Sequence, residues 1–212
     1  MELNPYREVL SKANEFVGYL PNAETVEPDT KLGLDDMFEL VRKADEDYRT
    51  LQEKKEKLKQ KIEEYRAKQQ IVAPFRPLEC DLHRVLHYRY ITYRFGRIAV
   101  EFYHKMQKYL MDDLKAIFVE GERDESYVYG VYFVSQAETQ KVDAVFRSLH
   151  FERIELKDEF EGTPDTAYRV LENEIARVNL EIEDLDKQAG EMLADRAPQL
   201  VAARDRLEEL SN

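Results

Sequence analysis

From Leu34 the chain places side chains at alternating spacings of three and four: Leu34, Met37, Val41, Ala44, Tyr48, Leu51, Lys55, Leu58, Ile62 and Tyr65. Lys55 is the only charged member. The spacing draws one narrow stripe along a helix of about 35 residues, roughly 50 Å at 1.5 Å per residue. A helix packed on a globule would show a broader apolar face. A stripe this long and thin is buried only by a second helix laid along it. Pro74 and Pro77, in APFRPLE, end the first helix.

A matching stripe lies far downstream. Thr163 is placed to cap a helix, Pro164 occupies its first turn, and Asp165 favours the positive end of the helix dipole. Tyr168, Leu171, Ile175, Val178, Ile182, Leu185, Ala189 and Met192 follow at the same spacing. After Met192 the phase slips. Leu200, Ala203, Leu207 and Leu210 resume it in a shifted frame, with Pro198 inside the slip, so a kink or a fray is expected there.

Charge orients the two stripes. The first helix is rich in cations (Lys54, Lys55, Lys57, Lys59, Lys61, Arg66, Lys68), and the second carries Glu172, Glu174, Glu181, Glu183, Asp184 and Asp186 against Arg177. Folded back antiparallel, these runs lie side by side. One surface ion pair contributes only about 0–1 kcal/mol, yet the collective sign sets direction and register. Such runs also merely solvate unrelated helices, but the antiparallel hairpin explains spacing and charge together.

Composition agrees with long solvated helices bearing a smaller packed body: 36% of the 212 residues are charged, with 7 glycines and no tryptophan. Asp plus Glu number 44 against 32 Lys plus Arg, a formal net charge of −12. That surface repels phosphate backbones and anionic lipid, so neither nucleic acid nor direct membrane contact is expected. Cys80 alone makes no intramolecular disulfide and fits a reducing compartment. No apolar run approaches the roughly 18–20 residues of a membrane helix. MELNPYREVL lacks the basic and apolar regions of a signal peptide. The expectation is a soluble, cytoplasmic chain. At its start, Asn4 is placed to cap a helix, Pro5 takes the first turn, and Tyr6, Val9, Leu10, Ala13, Phe16, Val17 and Leu20 share a face. PNAETVEPDTK closes that helix as a connector.

Between the stripes the periodicity changes. HYRYITYRF reads as a strand, VEFYHKMQKYLMDDL as an amphipathic helix, LKAIFVE as a short strand, and GERDES as a turn. YVYGVYFVS (Tyr127–Ser135) reads as a strand, AETQKVDAVFRSLHF as a helix and FERIELK as a half-buried edge strand. The order β-α-β-β-α-β is that of ferredoxin-like folds, with the first and third strands central and both helices on one face. The uniformly apolar Tyr127–Ser135 is then the third, central strand, packed on one face, and Gly130 marks a bulge or a close backbone approach. The expected fold is α+β: a long antiparallel two-helix coiled coil carrying a ferredoxin-like βαββαβ lobe. Its segments are residues 1–30 (N-terminal helix and connector), 31–72 (outgoing arm), 73–162 (distal lobe) and 163–212 (returning arm).

Chemistry is sparse. Cys80, His83 and His87 have C-x2-H-x3-H spacing, but a structural zinc site wants four ligands and a catalytic one three plus water. The plainer reading is a short helix capped near Asp81. The lobe layout is also that of an RNA-recognition motif, yet only Tyr129 and Gly130 match the aromatic signature of its third strand. Nucleotide-binding glycine motifs, nucleophile elbows and zinc-protease motifs do not occur, so no catalytic residue, cofactor or metal is assigned.

YRFGRIAVEF (Tyr93–Phe102), YGVYFV (Tyr129–Val134), VDAVFRSLHFERIEL (Val142–Leu156) and EGTPDTAYRVLENEI (Glu161–Ile175), in that order between the stripes, carry a resemblance. Over roughly residues 30–195 the chain resembles the cytoplasmic region of subunit I of V/A-type ATPases, the counterpart of eukaryotic V-ATPase subunit a. The resemblance implies a proximal lobe, a two-helix arm and a distal lobe, with residues 1–30 belonging to the proximal one. It implies a non-catalytic stator that docks the peripheral-stalk subunits E and G and resists rotor torque during ATP synthesis or proton and other ion transport. The family's membrane domain, which meets the rotor ring, has no counterpart here. The chain is therefore expected to be a cytoplasmic fragment with no ion-carrying residue. Its docking surface is expected on the lobe, at the helix Ala137–Leu149 and the turn Gly121–Ser126. The alternative is a ligand-binding regulatory lobe on a coiled-coil dimeriser, whose stripes would pair in parallel between two chains.

Overall fold

In a computed structural model, residues 5–157 and 159–212 are described. The elements are α1 (Pro5–Gly18), α2 (Leu34–Val72), α3 (Leu82–Leu86), β1 (Ile91–Ala99), α4 (Val100–Asp112), β2 (Ala116–Arg123), β3 (Tyr127–Ser135), α5 (Thr139–Ser148), β4 (Glu152–Arg153), α6 (Pro164–Asp195) and α7 (Ala197–Ser211). The fold is α+β. Contacts divide the chain into Met1–Lys61 with Arg177–Asn212 and Ile62–Ala176, and α2 and α6 each contribute to both units.

The first unit is helical. The expected face of α1 is its inner face: Ala13, Phe16, Val17 and Leu20 are buried, and Tyr6, Val9 and Leu10 are half-buried against the same core. Met37, Val41 and Ala44 of α2 join it, as do Leu200, Ala203 and Leu207 of α7. Asn4, the expected cap of α1, lies outside the described residues. The phase slip after Met192 is a complete break: α6 stops at Asp195, Arg196 leaves the helical region at φ −103°, ψ 6°, and Pro198 sits in the first turn of α7. Leu210, expected to rejoin the stripe, is instead 44% exposed, because the core ends at Leu207. Asp47 accepts from Arg196 at 2.7 Å, and Lys55 pairs with Asp186 at 2.6 Å. Residue numbers rise along α2 as they fall along α6, so the pair is antiparallel, and the one charged member of the first stripe has an acidic partner across it.

In the second unit the same two helices are again antiparallel. Gln69 Nε2 donates to Glu172 at 2.6 Å and Arg76 Nε to Asp165 at 2.9 Å. Thr163 Oγ1 accepts from the Thr166 N–H, the cap expected for α6. The sheet is antiparallel in the order β2-β3-β1-β4, the ferredoxin-like arrangement with the first and third strands central.

Three features differ from expectation. First, β1 covers Ile91–Ala99, four residues later than the aromatic run HYRYITYRF, because Gly96 sits inside the strand opposite Gly130. Second, β4 is two residues long, not seven. Ile154 N–H still donates to the Phe95 carbonyl, but the chain then turns away to bury Leu156 and Phe160 among Phe75, Leu82 and Leu171. Third, β3 is covered on both faces. Val128, Tyr132 and Val134 meet the core beneath α4 and α5, while Tyr129, Val131 and Phe133 meet a core that includes Val72, Phe75 and Leu82.

The glycine pair shapes the helix-covered face. A Cβ on Gly96 would lie 2.5 Å from the Phe151 ring, and one on Gly130 would lie 2.5 Å from the Phe118 ring. Both rings thus rest on bare backbone, the close approach expected at Gly130. Around them Tyr132 and Phe146 stack with centroids 3.8 Å apart, and Phe151 stands edge-on to both. Each aromatic pair adds about 0.5–1.5 kcal/mol beyond its buried area.

Candidate docking surface

Strand alternation sends Ile91, Tyr93 and Phe95 of β1, and Val131 and Phe133 of β3, to the sheet face opposite α4 and α5. Facing pairs add Ile117 beside Phe133 and Val119 beside Val131. Coverage here is uneven. Phe95 and Val131 are buried, and the Phe75 ring stands edge-on to Phe95 at 5.3 Å and to Tyr129 at 6.3 Å. The chain's own Phe75 therefore occupies the aromatic platform on which an RNA-recognition motif would stack bases.

One row further on, the cover stops. Ile117 is 67% exposed, and Ile91, Val119, Tyr88 and Tyr90 are also exposed. Ile91, Ile117, Phe133 and Leu114 share a shallow groove of about 440 Å³. Apolar side chains gathered this way, on a chain with so much charge to spread over its surface, make this row the candidate docking face.

A second hollow, of about 470 Å³, shares Ile91 with the first. It opens where the chain after Arg153 diverges from β1, between residues 91–95 and residues 153–156, with Tyr88, Arg89 and Gln136 at its rim. Two of its arginines are held by Asp143, a nearly buried carboxylate on α5. Arg94 and Arg153 reach Asp143 Oδ2 at 3.2 and 3.1 Å, and the Tyr132 hydroxyl donates to Oδ1 at 2.5 Å. Burial first, and then that bond, push the Tyr132 phenol well above its usual range. The network ties α5 to β1, β3 and β4.

The stretches expected to make contact are exposed but polar. Asp124 folds the turn back by accepting from the Ser126 and Tyr127 N–H groups, bonds that hold its carboxyl below the usual range. The outer face of α5 presents Gln140, Lys141, Ala144, Arg147 and Ser148. The exposed apolar row instead comes from LKAIFVE and the start of β1. Its sequence signal was a strand apolar on both faces, Ala116 and Phe118 on one and Ile117 and Val119 on the other, with helices expected over only one.

His83 and His87 lie on the short α3, whose N-terminus Asp81 caps through the Arg84 N–H, as expected. His87 Nδ1 lies 2.7 Å from the His83 carbonyl oxygen. Among the described residues no group of three His, Cys, Asp or Glu side chains is placed to hold a metal ion. Nor is any helix among them long and apolar enough to cross a membrane.

No protein-family model matches the chain. No curated protein matches it either. Among solved structures, its fold is similar to that of the cytoplasmic N-terminal domain of subunit I, homolog of subunit a, of V-ATPase. That likeness spans 99% of this chain and 72% of the other, with a TM-score of 0.50 and 13% sequence identity. What the two share is the fold.

Proposed function

We propose that the chain is a non-catalytic part of the stator of a rotary V/A-type ATPase. In this reading α2 and α6 form the arm, and the βαββαβ lobe is the body that docks the E–G peripheral stalk. The observation that carries it is the likeness of fold along nearly the whole chain to the subunit I domain. The four sequence strings noted above point the same way. The chemistry is compatible: a stator works by stiffness and by a docking face. The paired helices supply the first, and the uncovered row around Ile117 supplies the second. Pairing of α2 with α6 inside one chain also counts against a dimeriser, which would use those stripes between chains.

The test is co-purification. The full chain, tagged and co-expressed with the E and G subunits of a V/A-type ATPase from the same source, should retain both through size-exclusion chromatography. Elution of the tagged chain alone would refute the proposal.

A further inference from the structure

We infer that the hollow beside β1 receives a segment of a partner protein that carries carboxylates among apolar side chains. This deepens the docking reading and rests on it for the choice of a protein as partner. The cleft is lined by Arg89, Arg94 and Arg153 against Glu155, with Asp143 behind them. Three cations thus face two anions, in a chain whose formal net charge is −12. Arg89 is exposed and has no ion-pair partner among the described residues. Arg94 and Arg153 share one oxygen of Asp143, which leaves guanidinium donors for a second acceptor.

The surroundings fix the rest of the partner's chemistry. Ile91 joins the cleft to the apolar groove under Ile117, and Tyr88 stands at its rim. Arg and Tyr are the residue types that anchor protein interfaces, and guanidinium binds carboxylate in a two-pronged geometry. A short mixed segment feels mainly these nearby cations, because charges beyond about 8 Å are screened at physiological salt. An extended polyanion, whether RNA or an anionic bilayer, would instead meet the acidic remainder of the surface.

The probe is a capped decapeptide alternating Glu and Leu, titrated into the isotopically labelled full chain and followed by amide chemical shifts. Shifts are expected at residues 88–95, 136 and 153–156. Arg89→Glu should weaken binding about tenfold or more, as reversal of a contacting charge does. Arg169→Glu, at an exposed position on α6, should change it by less than roughly twofold, as for a solvated charge. The same peptide with Lys for Glu should leave the cleft unshifted. The inference is overturned by no shifts at millimolar peptide, by an equal response to the Lys peptide, or by an Arg89→Glu variant that binds as well as wild type. A cleft that prefers a short oligouridylate or phosphatidylserine vesicles over the Glu peptide overturns it as well. No stalk subunit is present in this assay, so it can fail while the E–G pair still binds, and the reverse.

Discussion

Gly130→Ala tests the packing of the lobe at one of its tightest points. The new methyl carbon would lie 2.4 Å from the Val119 carbonyl oxygen and 2.5 Å from the Phe118 ring. That carbonyl belongs to the strand paired with β3, so it cannot retreat without opening the β2–β3 ladder. The ring can move only by leaving its contact with Phe146. Overpacking of this kind costs about 1–3 kcal/mol, and a lost aromatic contact about 1 kcal/mol more. Against this, the less flexible unfolded chain returns about 0.4–1 kcal/mol. The net loss is about 2–3 kcal/mol, which in a unit of roughly 100 residues lowers Tm by about 10–15 °C. Calorimetry should show that drop in the transition of the second unit. Gly190→Ala is the control: nothing lies within 4 Å of the new methyl on exposed α6, and exchanging a mid-helix glycine should stabilise by about 0.5–1 kcal/mol. A Gly130→Ala protein that melts with wild type would refute the account of the paired glycines.

Further outcomes follow from the helix pair. With Cys80→Ser in place, Gln69→Cys with Glu172→Cys should be bridged by a short bismaleimide cross-linker into a species that stays monomeric on a denaturing gel, because the two side chains meet across the helix pair; a cross-linked dimer would contradict the intrachain antiparallel pairing. Asp47 has its carboxyl pKa lowered by the Arg196 hydrogen bond and, less, by Lys43. A lowered folded value means that its contribution is present above the unfolded pKa of about 3.9 and is lost as pH falls through the folded one. Asp47→Asn should therefore lower the urea midpoint at pH 7 by the equivalent of at most about 1 kcal/mol, since the pair is partly exposed. The gap should close in acid; one that persists at pH 2 would show that the ion pair is not its source.

Much of the architecture is written in local pattern. The three–four spacing of both stripes, from Leu34 to Tyr65 and from Tyr168 to Met192, appears as side chains that are all buried or half-buried, and Tyr127–Ser135 is a strand with the expected ends. These are features that a helix or strand decides from its own periodicity. What stayed hidden depends on residues distant in sequence. FERIELK alternates like a strand, yet it leaves the sheet because Leu156 and Phe160 find a better site among Phe75, Leu82 and Leu171. Gly96 looks like the end of a strand until Gly130 stands opposite and Phe151 fills the space above it. The exposed apolar row around Ile117 depends on distant residues in the same way. The two apolar faces of LKAIFVE hint at an uncovered row, but that Ile117 is exposed while Phe95 and Val131 are buried depends on where Phe75 covers the sheet.

Equilibrium binding of the purified E–G pair to the full chain, wild type and Ile117→Glu, bears most directly on the central proposal. Ile117 is exposed enough that the substitution should leave the unfolding midpoint unchanged. Wild type should bind the pair, and the variant should bind it about tenfold or more weakly, as expected when an apolar anchor at an interface is replaced by a charge. Absence of binding by wild type, or equal affinities for the two proteins, would contradict the proposal that this sheet face docks a stator stalk.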